Sequence, residues 1–419
     1  MGDTIFACRS FCGIIYDVEE RENGRRESVL PDSVPSPIPP RHLHVGLNAH
    51  LLSLGRNYRG AGINGYIYNL LRHLPQVGGH YRYTAFLSER HFSPEPPLAV
   101  RLSRLPTAHA PVRIFWEQAI QPVALQRARV DLLHAMAFVS PLLLPCPTVV
   151  TVYDLSFLRF PGSFRPLNRF YLRQFTSWSV RRAHRVLAIS ESTRQDVIRL
   201  LGKPAEQVDV VHCGVDKRFY PRGQAAVAAF RRKKGLPERF ILFLGTLEPR
   251  KNVVSLLEAY AQLAASNGGP WPVLVIAGAK GWFYEDIFAA VERLDLTERV
   301  IFAGYVPEEE KPLWYNAAEL FVYPSLFEGF GLPPLEAMAC GTPVIVCNTS
   351  SLPEVVGDAG IKVPPGDVSA LAQAIAAMLH DQAGRAAWQE RGLVQAERFS
   401  WHAAAQQTVR VYERALGMG

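Results

Sequence analysis

The chain has 419 residues, 48 % hydrophobic and 20 % charged, with 45 Lys and Arg against 38 Asp and Glu for a net charge of +7. That length exceeds one ordinary hydrophobic core and points to two domains of roughly 150 to 200 residues each, while the modest charge content excludes a disordered, solvating chain. The basic balance favours anionic partners such as phosphates, nucleotides, acidic lipid surfaces or nucleic acid.

Six cysteines (Cys8, Cys12, Cys146, Cys213, Cys340 and Cys347) form no C-x-x-C pair, which argues for a reduced, intracellular protein without a disulfide framework or zinc site. The longest apolar run, "PLLLPCPTVVTV", is broken by Pro145 and Pro147 and falls short of the ~18 residues that span a bilayer. Arg9, Asp17, Glu19, Glu20 and Arg21 interrupt any apolar signal core, so secretion is not expected.

Residues 27–41 hold five prolines and read as an extended linker, making residues 1–41 an N-terminal extension without assigned chemistry. From His42 short apolar runs alternate with helical patterns. "LHVGLNA" is a strand that leads through "GRNYRGAGING" into a helix over 66–74. "VRIFWEQAIQPVALQRARV" is a helix interrupted near Pro122; "DLLHA" and "PTVVTVYDLSF" are strands, and 168–186 is a helix. "VLAIS", "ESTRQDVIRLL" and "QVDVVHCG" continue as strand, helix and strand. The pattern lapses over 214–238, then restarts with strands "RFILFLGTL", "PVLVIAG", "VIFAGYV", "LFVYPS" and "PVIVCN", each followed by a helix. Such alternation means parallel sheets covered by helices on both faces. The expected fold is α/β, two Rossmann-like doubly wound domains facing a cleft: residues 42–213, a linker over 214–238, residues 239–395, and a C-terminal helix over 396–419. Ligands in such sheets sit beyond the carboxyl ends of the strands, so the cleft is the expected site.

One string concentrates chemistry there. "FEGFGLPPLE" follows the strand "LFVYPS" and opens a helix expected from Pro333 to Cys340. Gly329 and Gly331 bare the main-chain amides near the positive end of that helix, where anionic or hydroxyl oxygens can bind. Glu328 and Glu336 add carboxylates suited to sugar hydroxyls; the plainer alternative is that Glu336 only complements the helix dipole and Glu328 faces solvent. In "GTLEPRKN", Asn252 is an expected N-cap, so Arg250 and Lys251 stand where cations are disfavoured. An anion shared with the helix, such as a diphosphate, would explain both; a solvated turn is the alternative.

"GTLEPRKN", "LVIAGAKGW", "IFAGYVPEEE" and "PSLFEGFGLPPLEAMACGTPVI" resemble the donor half of family 4 retaining glycosyltransferases with the GT-B fold. "GINGYIYNLL", "VDLLHA", "VTVYDLSFLRFP", "AISESTRQDV" and "HCGVDKRFYP" resemble the acceptor half of bacterial members that transfer mannose or a similar hexose. The resemblance runs from about residue 42 to the end. It implies that Glu328 contacts the donor sugar, Glu336 the ribose, and the backbone of Gly329, Phe330, Gly331 and Leu332 the sugar hydroxyls and phosphate. It further implies that Arg250 and Lys251 hold the diphosphate, that Val306 lies against the base, and that the loop around Gly62 and Gly65 approaches the reacting centre; a tight βα turn is the alternative for those glycines. Many relatives carry a histidine where this chain has Tyr153, which leaves Asp154 as the polar anchor at that strand end, or as a turn cap.

Breaking the sugar–phosphate bond puts negative charge on the diphosphate, and pre-placed Arg, Lys and amides stabilise it most in the transition state. No metal and no cofactor is expected; the nucleoside-diphosphate sugar is the donor substrate. Expected partners are the nucleotide sugar and a glycan or lipid-linked acceptor, with no nucleic acid. The expected location is cytoplasmic, with peripheral contact at the inner membrane surface left open by the arginines and aromatics of helix 168–186. An inactive nucleotide-sugar-binding protein and a nucleotide-sugar epimerase of the same fold remain as alternatives, since each motif is a binding motif first.

Overall fold

The computed structural model describes residues 42–55, 61–107, 109–163, 166–266 and 269–418; the N-terminal extension, Arg165 and the middle of the "GRNYRGAGING" loop lie outside them. Two separate sheets are present. The first joins β1 (Leu43–Asn48), β2 (Tyr81–Leu87), β3 (Leu98–Leu102), β4 (Leu132–Ala135), β5 (Thr148–Val152), β6 (Arg185–Ala188) and β7 (Val208–Val210) in the order β3-β2-β1-β4-β5-β6-β7. The second joins β8 (Phe240–Leu244), β9 (Val273–Ala277), β10 (Val300–Gly304), β11 (Leu320–Tyr323), β12 (Val344–Cys347) and β13 (Ile361–Val363) in the order β10-β9-β8-β11-β12-β13. Every pairing is parallel. β5, β8, β11 and β12 are buried along their whole length, which is why they read as unbroken apolar runs. The expected fold, two doubly wound α/β halves, is confirmed.

In each sheet the strand order reverses once, between β1 and β4 and between β8 and β11. These switch points bring the loops after β1, β8 and β11 to the crevice.

Several elements differ from expectation. β2, β3 and β13 carry no continuous apolar signature. The helix expected over 66–74 spans Ala61–Val77, so Gly62 and Gly65 lie in its first turns and not in a loop. The helix expected over 168–186 spans Pro166–Arg182, and Arg185 belongs to β6, where it forms two 2.8 Å bonds with Asp209. Near Pro122 the helix widens into a π turn, Trp116–Ile120, before Gln121–Arg127. A proline crowds the carbonyl four residues back, and the wider turn relieves that clash.

The last helix, Trp401–Ala415, returns to the first half and packs on helix Ala61–Val77. Tyr412 Oη lies 2.7 Å from His134 Nδ1, while Thr151 Oγ1 lies 2.8 Å from His134 Nε2. Burial pushes this histidine's pKa down to about 3, keeping it neutral inside the core.

Candidate active site

A cleft of about 920 Å³ separates the two sheets, walled by the loops that follow β1, β5, β8, β9, β10 and β11. All the residues expected to meet donor or acceptor line it. They do so in different ways.

Glu328 sits on the loop after β11. Its Oε1 accepts from Lys251 Nζ at 2.5 Å, Ser325 Oγ at 2.6 Å and Tyr323 Oη at 3.0 Å, and Arg250 Nη1 stands 3.4 Å from Oε2. Burial alone would raise its pKa; the Lys251 and Arg250 charges outweigh burial and hold the carboxyl down to about 2. Arg250 also donates to Phe327 O at 2.6 Å and Glu248 Oε1 at 2.7 Å. The anion that Arg250 and Lys251 share is therefore, in this structure, the Glu328 carboxylate. With Glu248 the two cations are balanced by two carboxylates within the protein itself. Tyr323 and Ser325, which complete the cage, were not singled out from sequence, although both stand in the same "YPSLFE" string. Asn252 occupies the N-cap position of helix Val253–Ala265 with φ +56°, and its side chain takes the Ser255 hydroxyl at 2.8 Å instead of a main-chain amide.

The helix after Glu328 runs Leu332–Ala339 and starts at Gly331, whose φ of +114° suits glycine. Pro333 and Pro334 fill its first turn and contribute no N–H, so Gly331 and Leu332 supply the main-chain donors at this helix start. Glu336 is buried on the cleft side and accepts from Tyr315 Oη at 2.8 Å. Burial raises its pKa above the usual carboxylate value against the pull of Lys311, which itself pairs with Glu308 at 2.5 Å. Val306 forms an apolar wall after β10.

On the opposite wall Asp154 caps a turn by accepting from Ser156 N at 2.8 Å, and after Glu328 and Glu248 it adds to the negative charge that raises the pKa of Arg250 against burial. Tyr153 lines the cleft with its main chain; its phenol turns inward and donates to Met136 O at 2.7 Å. The phenol is thus held by the protein's own main chain. Gly62 and Gly65 face open space at the start of helix Ala61–Val77, where a Cβ would meet nothing closer than Leu332 at 4.0 Å.

Residues 60–219 match the family described as Glycosyltransferase Family 4, and residues 227–394 match Glycosyl transferases group 1. O-antigen chain mannosyltransferase B of Escherichia coli is 38 % identical over 267 residues, which are 63 % of this chain and 70 % of that protein. The chain belongs to the family 4 glycosyltransferases. Serotype-specific mannosyltransferase WbdA of E. coli is 33 % identical over 281 residues, 65 % of this glycosyltransferase but only 34 % of the longer relative. Among solved structures, sucrose-phosphate synthase from Thermosynechococcus elongatus superposes with a TM-score of 0.70 at 23 % identity, covering 90 % of this chain and all of that one. Anabaena HepE in complex with UDP and glucose gives 0.66 at 19 % identity, covering 89 % and 100 %. At these identities the structures speak for the GT-B fold. Among the described residues of the glycosyltransferase, no helix is long and apolar enough to cross a membrane, and no three His, Cys, Asp or Glu gather as a metal site.

Proposed function

We propose that this enzyme moves a hexose, mannose foremost, from a nucleoside-diphosphate sugar to a hydroxyl of a glycan or lipid-linked acceptor, with retention at the anomeric carbon and without a metal. The observation that carries the reading is the donor wall: Glu328 precedes and Glu336 lies within one short helix, while Arg250 and Lys251 contact the first of them. The mannosyltransferases named above support the choice of sugar.

In this reading the sugar's C1–O bond to phosphate breaks, and the departing diphosphate draws on Arg250, Lys251 and the amides at Gly331 and Leu332. Glu328, kept ionised by those cations, is fit to meet sugar hydroxyls and the positive charge on the ring. Glu336 is fit to take the ribose and Val306 the base. The acceptor hydroxyl arrives from the side of Gly62, Gly65 and Asp154.

We place the reaction in the cytoplasm at the inner membrane surface. Phe115, Leu142, Leu143, Leu167 and Phe170 are all exposed, and Gln118 ties the first two segments together by accepting from Leu142 N at 2.8 Å. Residues 104–182 hold ten arginines against three acidic residues, Glu117, Asp131 and Asp154. Exposed apolar side chains amid arginines suit an anionic bilayer.

The test is thermal stability against GDP, UDP, ADP, TDP and CDP and their sugars. Ligand at a hundred times its Kd adds about 2.7 kcal/mol to the native state, enough to raise the melting temperature by several degrees. One base should stand out and lose its effect in Glu336→Ala. An unchanged melting temperature with every nucleotide would overturn the reading.

A further inference from the structure

Beside the cleft the two halves touch along a seam, and its contacts converge on the loop that carries Glu328. Gly329 O accepts from Ser190 Oγ at 2.6 Å and Thr193 Oγ1 at 3.3 Å. A Cβ on Gly329 would stand 2.2 Å from Tyr153 O. The Phe330 ring lies 5.9 Å from that of His212; Phe327 lies 5.5 Å from Phe160, with Arg159 5.5 Å above its face. Residues on both sides of Glu328 are thus gripped by the acceptor half.

A strap holds this seam shut. Glu354, on the short helix Leu352–Val356 of the donor half, reaches across so that both its oxygens accept the Glu191 N–H, at 2.9 and 3.0 Å. Its Oε1 also lies 2.5 Å from His212 Nε2. Glu191 opens the helix Glu191–Leu201, which Ser190 caps through Thr193 N. The carboxylate therefore meets the positive end of a helix, and that helix's cap residue is the one that grips Gly329. A hollow of about 510 Å³ flanks the strap, lined by Arg159, Gln195, Ser350 and Glu354 among others.

We infer that Glu354 is a positioning residue: by clamping Glu191 and His212 it presses the acceptor half onto residues 327–330 and fixes where Glu328 stands in the closed enzyme. This rests on the proposal that Glu328 meets the donor sugar. Glu354 itself touches no reacting atom.

The experiment compares Glu354→Ala, Glu354→Gln and Ser190→Ala with the wild type by steady-state kinetics, nucleotide affinity and small-angle X-ray scattering with nucleotide bound. Gln keeps an oxygen for Glu191 N–H and offers its amide to His212, so it should stay within threefold of wild-type kcat. Glu354→Ala should lose at least tenfold in kcat, keep nucleotide Kd within twofold and show a larger radius of gyration; Ser190→Ala should move the same way by less. Wild-type kcat and unchanged scattering in Glu354→Ala would overturn the inference, as would equal losses in Ala and Gln variants accompanied by lost nucleotide binding. A wild-type enzyme inert toward every nucleotide sugar would count against the donor reading alone, because the scattering comparison still decides the seam.

Discussion

The Lys251 ammonium and the Glu328 carboxylate form a buried ion pair, 2.5 Å apart, in the wall of the cleft. Removing one member of such a pair strands the other's charge. Glu328→Gln should lower turnover at least a hundredfold; it should also destabilise the fold by about 1–3 kcal/mol, less than a fully isolated pair because Glu248 still balances Arg250 and Tyr323 Oη still accepts from Lys251. Lys251→Ala should match it in turnover. The double variant Lys251→Met/Glu328→Gln should recover stability and not activity, which calorimetry and kinetics together would reveal. Near-normal rates in both single variants would remove these residues from the site.

The same pair gives an acid signature. Glu328 has a folded pKa near 2, below its unfolded value, so its contribution is complete above the unfolded pKa and fades as pH falls from about 4.5 towards 2. Urea denaturation at pH 6 and pH 3 should show a smaller acid loss in Glu328→Gln than in the wild type.

Glu117 behaves in the opposite sense. Burial raises its pKa to about 7 despite Arg113 and Asn48. The folded state then binds the proton more tightly, and stability declines as pH rises from about 4.5 to 7. Glu117→Gln should leave stability unchanged at pH 4.5 and raise it at pH 8 by about 2–3 kcal/mol, since each tenfold difference in proton affinity between folded and unfolded chains is worth about 1.36 kcal/mol. Equal melting temperatures for variant and wild type at pH 8 would refute this.

Gly329→Ala tests the approach of the two halves by a different route. A Cβ 2.2 Å from Tyr153 O cannot be accommodated without parting the seam. The variant should bind nucleotide within about threefold of wild type yet turn over at least tenfold more slowly. Full activity would mean the contact with Tyr153 is dispensable.

Leu167→Ser/Phe170→Ser should weaken co-sedimentation with vesicles containing anionic lipid at least tenfold, since each apolar side chain contributes about 1.5–3 kcal/mol when fully buried. Activity on a soluble acceptor should be unchanged. Equal sedimentation of variant and wild type would move the membrane contact elsewhere.

The parts of the fold that were legible are those whose burial is two-sided. β8 and β12 are apolar at nearly every position, and the Gly and Pro punctuation around them marks their ends. β2 escaped because Arg82 and Thr84 interrupt its run; Thr84 is buried all the same, since His44 Nε2 lies 2.8 Å from its hydroxyl. β3 and β13 are edge strands of five and three residues, too short for a period to register. At the site, strand-end reasoning brings Glu328, Glu336, Arg250 and Lys251 to the cleft. Their pairing was not legible, because Lys251 and Glu328 lie 77 residues apart and only the tertiary fold joins them. The orientation of Tyr153 was not legible for a related reason: residue type says that a phenol can donate, whereas its rotamer and the nearby Met136 carbonyl decide to what.

The chain passes between the halves twice, near Val215 and near Ser400, and the two passages run side by side: Val215 N donates to Phe399 O at 3.0 Å, and a Cβ on Gly214 would stand 2.1 Å from Trp401 N. Topologically the second half is thus an insert spliced into the first at a single paired junction. A cassette cut at those two points and exchanged for that of another family member would carry its nucleotide preference with it and leave the acceptor framework, including the Tyr412–His134 anchor, uncut.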